Sequence, residues 1–389
     1  MAKRIRPQPE TYTGLNRIEP TLPSSWYLDP AHYQRELDRI WYRNWLFVGR
    51  NAGLTEPGQF RTVEIGSQNV LMVRGGDGVL RAFHNTCRHR GSKLCVKSEG
   101  KLGALAISCE YHRWLYNLKG ELIRTPNTAI PPGFDRKDYP LYDVALAEWR
   151  GFVFVNLAGK QAEPFEKVFL AEGDRLANWP LEEIVVGHRE VIDLGCNWKV
   201  FWENFSECYH CPGVHPKLSE TVPIYSRALM GRYDDPEWEQ HAQDGDPLYA
   251  GGLSEGARSW TEDGAIHGVP FAGLTDEQRR HGQFFVTALP TAYFVAHADY
   301  VRSISIRPVG PEQTQLVAEW MFLPETLTKP GFEMEKVVAF ARRVVQEDGY
   351  VCELAQQGMR SARHEAGVLM PPEYWVKSFQ DWIRDSVAA

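Results

Sequence analysis

Two short stretches of this 389-residue chain decide its fold: "NTCRHRGSKLC" (85–95) and "SCEYHRWLYNLKG" (108–120). Each stretch pairs a cysteine with a histidine. One residue separates Cys87 from His89, two separate Cys109 from His112, and nineteen lie between the pairs. Mixed cysteine and histidine pairs usually bind metal, but zinc fingers and ribbons separate the ligands of a pair by about two to four residues. The first pair is too closely spaced for that pattern.

The spacing fits a Rieske [2Fe–2S] cluster instead, in which two cysteines bind one iron and two histidines bind the other. Each loop must supply one ligand to each iron, and close spacing lets one loop reach two adjacent metals. Turns follow both pairs, at Arg90-Gly91 and at Leu118-Lys119-Gly120. We therefore predict that the cluster is bound by Cys87, His89, Cys109 and His112.

Both loops resemble the cluster loops of Rieske non-haem iron oxygenases, the catalytic alpha subunits of ring-hydroxylating and demethylating systems. In that family the second loop usually reads Cys-Pro-Tyr-His-Gly-Trp, so Glu110 and Arg113 replace a proline and a glycine here. Neither change removes a ligand. Tyr111 stands where respiratory Rieske proteins have a second loop cysteine, which argues against the respiratory type.

A second group of chemically active residues lies in "NWKVFWENFSECYHCPGVHP" (197–216). Asn197 is predicted to cap a helix with an apolar face made of Trp198, Phe201, Trp202 and Phe205. Pro212-Gly213 is predicted to break this helix between His210 and His215. Residues five apart on an unbroken helix point about 140° apart, so the break would let both imidazoles reach one ion. Two histidines and one carboxylate form the facial triad of non-haem Fe(II) oxygenases.

The resemblance extends to this segment, most closely in the homotrimeric branch with betaine and carnitine oxygenases. The family pattern is matched by Glu203-Asn204, Glu207, Tyr209-His210 and His215-Pro216. It implies that His210 and His215 bind a mononuclear iron and that Asn204 and Glu207 serve catalysis. Glu207 is implied to accept hydrogen bonds from His210 and from a cluster histidine of a neighbouring subunit, with His112 as the expected partner.

A candidate for the third ligand lies in "FEMEKVVAFARRVVQEDGYVCELAQQG" (332–358), which is predicted to form a long amphipathic helix. Asp348 falls in one apolar stripe and Glu347 in the neighbouring one, so periodicity leaves the choice open. A carboxylate on a buried face is costly unless it is paired or binds metal, and this slightly favours the shorter aspartate. The resemblance implies that the ligand is Asp348.

The cysteines outside the cluster loops carry a weaker signal. Cys208 and Cys211 form a Cys-x-x-Cys pair, which elsewhere indicates a redox dithiol. No βαβ pattern surrounds the pair, so we predict that both are small packing residues. The chain has seven cysteines, and no apolar core follows the charged N-terminal residues 1–14 as a secretory signal would require. We therefore expect reduced thiols, metal ligands or reactive groups rather than a disulfide framework, and a cytoplasmic protein.

Composition and patterning predict an α+β protein of two modules. The net charge of −7 gives no support for nucleic-acid binding, and no apolar run approaches the ~18 residues of a membrane span. We predict an N-terminal helical segment over 1–45 that packs on the catalytic domain, with a helix over 30–45. A small β Rieske domain follows over 46–158 and a mononuclear-iron domain over 159–389. The resemblance implies that the last is a helix-grip domain, an antiparallel sheet wrapped by helices.

The predicted function is the oxygenase component of a multicomponent system, a Rieske-type mono- or dioxygenase. Because the sequence has no dinucleotide fingerprint, electrons from NAD(P)H would arrive through a separate reductase of the flavin or ferredoxin type. O2 would then be activated at Fe(II) to hydroxylate or demethylate a small organic substrate. Aromatic carboxylates and quaternary ammonium acids stay open as substrates, with candidate contacts at Trp202, Phe284, Phe285, Tyr293, Phe294 and Trp320. The alternative is a Rieske electron-transfer protein without oxygenase activity.

Overall fold

The computed structural model describes residues 12–126 and 129–388 and divides the chain into two compact units. The first consists of Trp41–Leu170 with Ala288–Thr291. The second combines the chain up to Ile40 with Ala171–Thr287 and the chain from Ala292 onward. Residues 1–11 of the predicted N-terminal segment lie outside the described residues. Antiparallel sheets and helices together confirm the α+β class.

Antiparallel strands dominate the first unit. Its larger sheet contains, in spatial order, the strands Leu46–Arg50, Phe152–Asn156, Asp143–Trp149, Leu80–His84, Gln68–Arg74, Gln59–Ile65 and Glu99–Lys101. Its smaller sheet contains Ala106–Ser108, Leu115–Asn117 and Leu122–Arg124. Helical turns occur at Arg136–Asp138, Gly159–Gln161 and Phe165–Val168. This is the small β module that the sequence predicts.

The two cysteine loops rest on an apolar cluster of this unit. Cys87 and Cys109 both belong to it, together with buried side chains that include Leu94, Ile107, Tyr116 and Leu118. In the turn after the second loop, Gly120 has a φ of 84°, in the left-handed region that glycine adopts without steric cost. A Cβ at this position would lie 2.6 Å from Cε1 of Phe83. The predicted turn therefore requires glycine for both its conformation and its space.

The second unit is built around a five-stranded antiparallel sheet. Its strands, in spatial order, are Val185–Leu194, Gln313–Phe322, Val301–Gly310, Ala292–Ala296 and Phe284–Ala288. Arg302 lies opposite Val295 on one neighbouring strand and opposite Trp320 on the other, so the three side chains share one face. A long helix, Met334–Met359, contacts this face: Arg302 donates to the carbonyl of Ala341 at 3.4 Å. This sheet covered by helices is the predicted helix-grip arrangement.

Shorter elements complete the second unit. They are the helices Ser25–Leu28, Pro30–Glu36, Trp198–Phe205, Cys211–Val214, Pro216–Thr221, Pro247–Ala250, Asp276–His281, Pro324–Thr328 and Tyr374–Ala388, and the strand pair Glu19–Pro20 with Val368–Leu369. The helix predicted over 30–45 is shorter than expected, because a π-helical turn over Leu37–Trp41 follows Glu36. Within the described residues, no helix combines the length and the apolar character needed to cross a membrane.

A buried ion pair ties the N-terminal segment to the helix Trp198–Phe205. Nζ of Lys199 lies 2.6 Å from Oε1 of Glu36, and neither side chain is exposed. Trp198 donates to the other oxygen of Glu36 at 2.8 Å, and Tyr27 donates to Glu203 at 2.6 Å. Removing one partner of a buried pair costs about 3–5 kcal/mol because the other charge is left without compensation. The helix that precedes the histidines is therefore held in a defined position.

Candidate metal centres

The histidine segment follows a different path from the predicted one. Its helix begins as expected, since the side chain of Asn197 accepts a hydrogen bond from the backbone N–H of Lys199 at 3.0 Å. The helix ends at Phe205, however, and a non-helical stretch over 206–210 leads into a separate helix, Cys211–Val214. The predicted break at Pro212-Gly213 is therefore wrong, because these residues lie inside the second helix and the chain turns before His210.

His210, His215 and Asp348 converge on one point. Nε2 of His210 lies 3.2 Å from Nε2 of His215 and 3.4 Å from Oδ1 of Asp348, and Nε2 of His215 lies 2.9 Å from the same oxygen. Ligand atoms bound to one ion at about 2.1 Å and at right angles are roughly 3 Å apart. The three atoms therefore fit one face of an octahedral ion. Two imidazoles and a carboxylate in this arrangement suit Fe(II) and leave other positions open.

The two acidic residues of the long helix have different positions. Asp348 contacts the inner nitrogens of both histidines, whereas Oε2 of Glu347 lies 2.7 Å from Nδ1 of His215. A carboxylate on the outer nitrogen of a metal-binding histidine fixes the tautomer and the orientation of the ring. Helical periodicity does not distinguish the two carboxylates as ligands, but their packing does. Asp348 joins the converging atoms, and Glu347 supports His215 from behind.

Glu207 supports His210 in the same way. Its Oε1 lies 2.5 Å from Nδ1 of His210, and its Oε2 accepts from the backbone N–H of His210 at 3.1 Å. The contact forms across the non-helical stretch over 206–210. Asn204 approaches from the preceding helix, with Nδ2 3.4 Å from Nε2 of His210. Its Oδ1 is buried and has no hydrogen-bond partner among the described residues.

These carboxylates control the protonation of the histidines. Burial lowers the pKa of His210, but hydrogen bonds with Asp348 and Glu207 outweigh burial and raise this pKa to about 9. Burial raises the pKa of Asp348, and the hydrogen bonds from His210 and His215 bring it below the ordinary value. A metal ion competes with a proton for Nε2 of His210. Metal affinity should therefore increase with rising pH until this proton is lost.

Cys208 and Cys211 form a disulfide bond across the non-helical stretch, so the prediction that they only pack was wrong. Both are buried in an apolar cluster that also contains Tyr225, Trp260 and Phe340. The bond closes a small loop around His210. Among the described residues the remaining cysteines are free thiols, so this crosslink is local and does not belong to a disulfide framework.

The four predicted cluster residues also lie together. Nδ1 of His89 is 3.2 Å from Nδ1 of His112, and the thiols of Cys87 and Cys109 are near enough to interact electrostatically. Both thiols are buried, while His89 is exposed and stacks on Trp114, with centroids 4.9 Å apart. Two adjacent sulfur atoms and two adjacent imidazole nitrogens are the donor set of a Rieske cluster. The residues present therefore fit that group.

The backbone of the second loop accommodates one departure from the family pattern. Arg113, which stands at the usual glycine position, has a φ of 57°. This is the left-handed region, which costs a residue with a side chain on the order of 1 kcal/mol. The loop nevertheless keeps its turn through two backbone hydrogen bonds. The N–H of Arg113 donates to the carbonyl of Cys109 at 3.0 Å, and the N–H of Cys109 donates to the carbonyl of Trp114 at 2.8 Å.

The aromatic residues suggested for substrate contact separate into two groups. Trp202, Phe294 and Trp320 are fully buried, and Phe284 packs on Trp179 with centroids 5.1 Å apart. Tyr293 and the partly exposed Phe285 instead flank Phe205, which leads into the histidine segment. Phe205 stacks on Tyr293 at 3.8 Å and lies 6.0 Å from Phe285. Sequence reasoning assigned Phe205 only to an apolar helix face.

Comparisons with known proteins identify two domains in this chain. Residues 181–389 match the family model "Ring hydroxylating alpha subunit (catalytic domain)", and residues 44–136 match "Rieske [2Fe-2S] domain". The glycine betaine monooxygenase oxygenase subunit of Chromohalobacter salexigens is 30% identical over 388 residues, covering 94% of this chain and 86% of that protein. The chloroplastic choline monooxygenase of Spinacia oleracea is 26% identical over 375 residues, covering 94% and 78%.

A solved structure shares the fold over almost the whole chain. The quaternary ammonium Rieske monooxygenase CntA in complex with L-carnitine superposes with a TM-score of 0.69 at 21% identity. The match covers 98% of this chain and 99% of that one.

Proposed function

Because the chain belongs to the family of ring-hydroxylating alpha subunits with a Rieske domain, we propose that it demethylates a quaternary ammonium acid. The chain is the oxygenase component of a multicomponent Rieske system, an oxidoreductase that needs a reductase partner and O2. It carries a Rieske [2Fe–2S] cluster and a mononuclear iron. The predicted class and cofactors are thereby confirmed. A protein that only transfers electrons would not need the catalytic domain matched over 181–389.

The ligand assignment is part of the proposal. Cys87 and Cys109 bind one iron of the cluster, and His89 and His112 bind the other through Nδ1. The mononuclear iron is bound by His210, His215 and Asp348. The observation that supports this assignment is that their ligand atoms lie 2.9–3.4 Å apart. When bound there, the iron activates O2 with electrons delivered through the cluster.

Carboxylates behind the two histidines keep the ligand atoms in place. Glu207 and Glu347 accept from Nδ1 of His210 and His215, which holds a proton on each Nδ1 and directs each Nε2 towards the metal. Asn204 lies beside His210, where its amide can hold a polar group of the substrate or a water molecule near the open positions. These residues orient the reacting groups, and none of them is consumed.

Relatives and ring chemistry support the substrate class. The two relatives described above are named for glycine betaine and choline, and CntA is described as a quaternary ammonium monooxygenase in complex with L-carnitine. A quaternary ammonium group is attracted to aromatic faces, and Phe205, Tyr293 and Phe285 present such faces next to the histidine segment. Oxidation of an N-methyl group by O2, two electrons and two protons yields an N-hydroxymethyl group and water. That product then releases formaldehyde, a proton and the tertiary amine.

The direct test is a single turnover. Protein with a reduced cluster is mixed with O2 and either glycine betaine or benzoate, and formaldehyde and hydroxylated aromatic products are measured. We expect formaldehyde from glycine betaine, in proportion to the cluster electrons consumed. Product from benzoate with none from any quaternary ammonium acid would contradict the substrate class and leave the oxygenase class intact.

The assembly and its partners are also proposed. We infer a head-to-tail homotrimer in the cytoplasm, supplied with electrons by an NAD(P)H-dependent reductase of the flavin or ferredoxin type. The exposed positions of His89 and Tyr111 support this, because they leave the histidine side of the cluster accessible to another protein. The predicted domain limits of 1–45, 46–158 and 159–389 stay part of the proposal.

Glu207→Gln should slow electron transfer between the two metal centres. A carboxylate accepts hydrogen bonds on both oxygens, whereas an amide offers one acceptor and one donor. If Glu207 accepts from His210 and from His112 of a neighbouring chain, the glutamine can satisfy only one of them. We expect both metal centres and the trimer to persist, while cluster reoxidation with substrate and O2 slows by about 10–100-fold.

The matched control is Glu347→Gln, which makes the same change behind His215. It should weaken iron binding but leave reoxidation per bound iron near the wild-type rate. Wild-type reoxidation in Glu207→Gln would mean that Glu207 only positions His210 within its own chain.

A further inference from the structure

Arg302 is a buried cation on the helix-facing side of the catalytic sheet. It is 3% exposed. Among the described residues its guanidinium makes one hydrogen bond, from Nη1 to the carbonyl of Ala341 at 3.4 Å, and its Nε has no partner. No carboxylate of the described residues forms an ion pair with it. A buried charge is costly unless it is paired, so this arrangement calls for an anionic partner from outside the chain.

Two neighbouring side chains show the same lack of partners. Nε2 of His297 and Nε1 of Trp260 are buried without a hydrogen bond to any described residue. The rings of His297 and Trp260 are 5.4 Å apart, and Trp260 lies 5.9 Å from Phe340, the residue before Ala341. Burial, followed by the charge of Arg302, lowers the pKa of His297 to about 3, so this ring is neutral.

Unpartnered buried polar atoms are rare in folded proteins. Three of them in one region, on Arg302, His297 and Trp260, indicate a binding site that a polar ligand completes. Two of the three, Nε of Arg302 and Nε1 of Trp260, are hydrogen-bond donors. Donors beside a fixed positive charge favour an anion with oxygen acceptors.

This region connects to the metal-binding residues. Ala341 precedes Asp348 by seven residues in the long helix, a separation of about 10 Å along the axis. Tyr293 lies near both charges: burial raises its pKa, Arg302 lowers it and Asp348 raises it further. A row of aromatic rings spans the interval, because Phe285 lies 6.0 Å from Phe205 and 6.2 Å from Trp260.

We propose that Arg302 binds the carboxylate of the substrate and selects acids over neutral or purely cationic analogues. The guanidinium presents a planar pair of donors that matches both oxygens of a carboxylate. A quaternary ammonium acid then lies with its carboxylate on Arg302 and its ammonium group against the aromatic row. Its methyl groups face His210, His215 and Asp348. This inference rests on the proposed function and names the residue that recognises the acid group of its substrate.

The first test uses the unmodified protein. Isothermal titration calorimetry on the oxidised holoenzyme, which cannot turn over without electrons, compares glycine betaine with its methyl ester and benzoate with methyl benzoate. Hydrogen bonds to charged groups are strong enough that the acid should bind about 10–100-fold more tightly than its ester. This comparison needs no variant and is independent of folding defects.

The second test assigns the preference to one residue. Arg302→Met should lower the affinity for the acid to that for the ester and leave the ester unchanged, and Arg302→Lys should retain part of the preference. If Arg302 only stabilised the fold, Arg302→Met would lower the affinities for the acid and the ester together. The matched control is Arg307→Met, which alters an arginine of the same strand Val301–Gly310 five residues away, on the opposite face of the sheet. It should keep the wild-type ratio of acid to ester.

The outcomes separate this inference from the proposed function. Equal binding of acid and ester, unchanged acid affinity in Arg302→Met, or binding of none of the acids would overturn the role of Arg302. Equal binding of glycine betaine and its ester would still leave a quaternary ammonium substrate. Binding of benzoate alone, lost in Arg302→Met, would support Arg302 and contradict the quaternary ammonium substrate.

Discussion

Asp348→Ala is expected to remove iron from the mononuclear site and abolish turnover while the Rieske signal persists. Asp348 supplies the single carboxylate oxygen among the three converging ligand atoms, at 2.9 Å from His215 and 3.4 Å from His210. Alanine would leave two imidazoles and no anionic ligand for a divalent cation. The loss of activity should exceed the ~10–100-fold that follows the loss of a supporting hydrogen bond. Iron per chain, the electron paramagnetic resonance of the reduced cluster, and single-turnover product measure the effect.

Glu347→Ala is the matched control for this change. It removes a carboxylate from the adjacent position of the same helix and breaks only the contact behind His215, at 2.7 Å. We expect weaker iron binding and slower turnover, both partly restored by added Fe(II). Complete loss of iron in Glu347→Ala with normal iron in Asp348→Ala would show that the ligand assignment is wrong by one residue.

Cys109→Ser should eliminate the Rieske-type visible spectrum and the corresponding paramagnetic signal. The thiolates of Cys87 and Cys109 are expected to hold one iron of the cluster, and a serine hydroxyl does not replace a buried thiolate. Both cysteines lie in the core of the first unit, 3% and 1% exposed, so solvent cannot supply a substitute ligand. Cys87→Ser should have the same effect. Turnover driven by the reductase should disappear with the cluster, whereas iron at the mononuclear site should remain.

Cys95→Ser is the control, because Cys95 is a buried thiol of the same apolar cluster and is not an expected ligand. This variant should retain the signal. A second control, Cys208→Ser with Cys211→Ser, removes the disulfide beside His210 and should also leave the cluster spectrum unchanged. Loss of the Rieske signal in that double variant, with its retention in Cys109→Ser, would overturn the cluster assignment.

Local patterns predicted much of this protein because the relevant residues are close together in the sequence. The cluster type followed from spacings of one and two residues within two loops, where a short turn must bring its own ligands to two metals. The cap at Asn197 and the long helix were likewise predicted from short-range patterns, and the structure contains both. Together with these features, the family resemblance predicted an oxygenase with two iron centres. The matches to both domain models confirm this prediction.

The choice between Asp348 and Glu347 depended on tertiary structure. Adjacent residues of a helix differ by about 100° in direction, and both lie at the edge of the buried face. The positions of His210 and His215, the latter 133 residues before Asp348, separate their roles. The turn before His210 also differs from the prediction, because proline at the start of a short helix is compatible with helical geometry.

The sequence by itself determined which residue types could bind metal, how the ligands are spaced and which family the chain resembles. Tertiary structure chose between the two carboxylates that helical periodicity leaves open. It alone showed that Cys208 and Cys211 are bonded and that Arg302 is buried without a carboxylate partner among the described residues. The physical reason is that spacing and periodicity encode contacts within a turn or an element. Pairing between charges on different elements is settled only when a sheet and its helices pack together and exclude water.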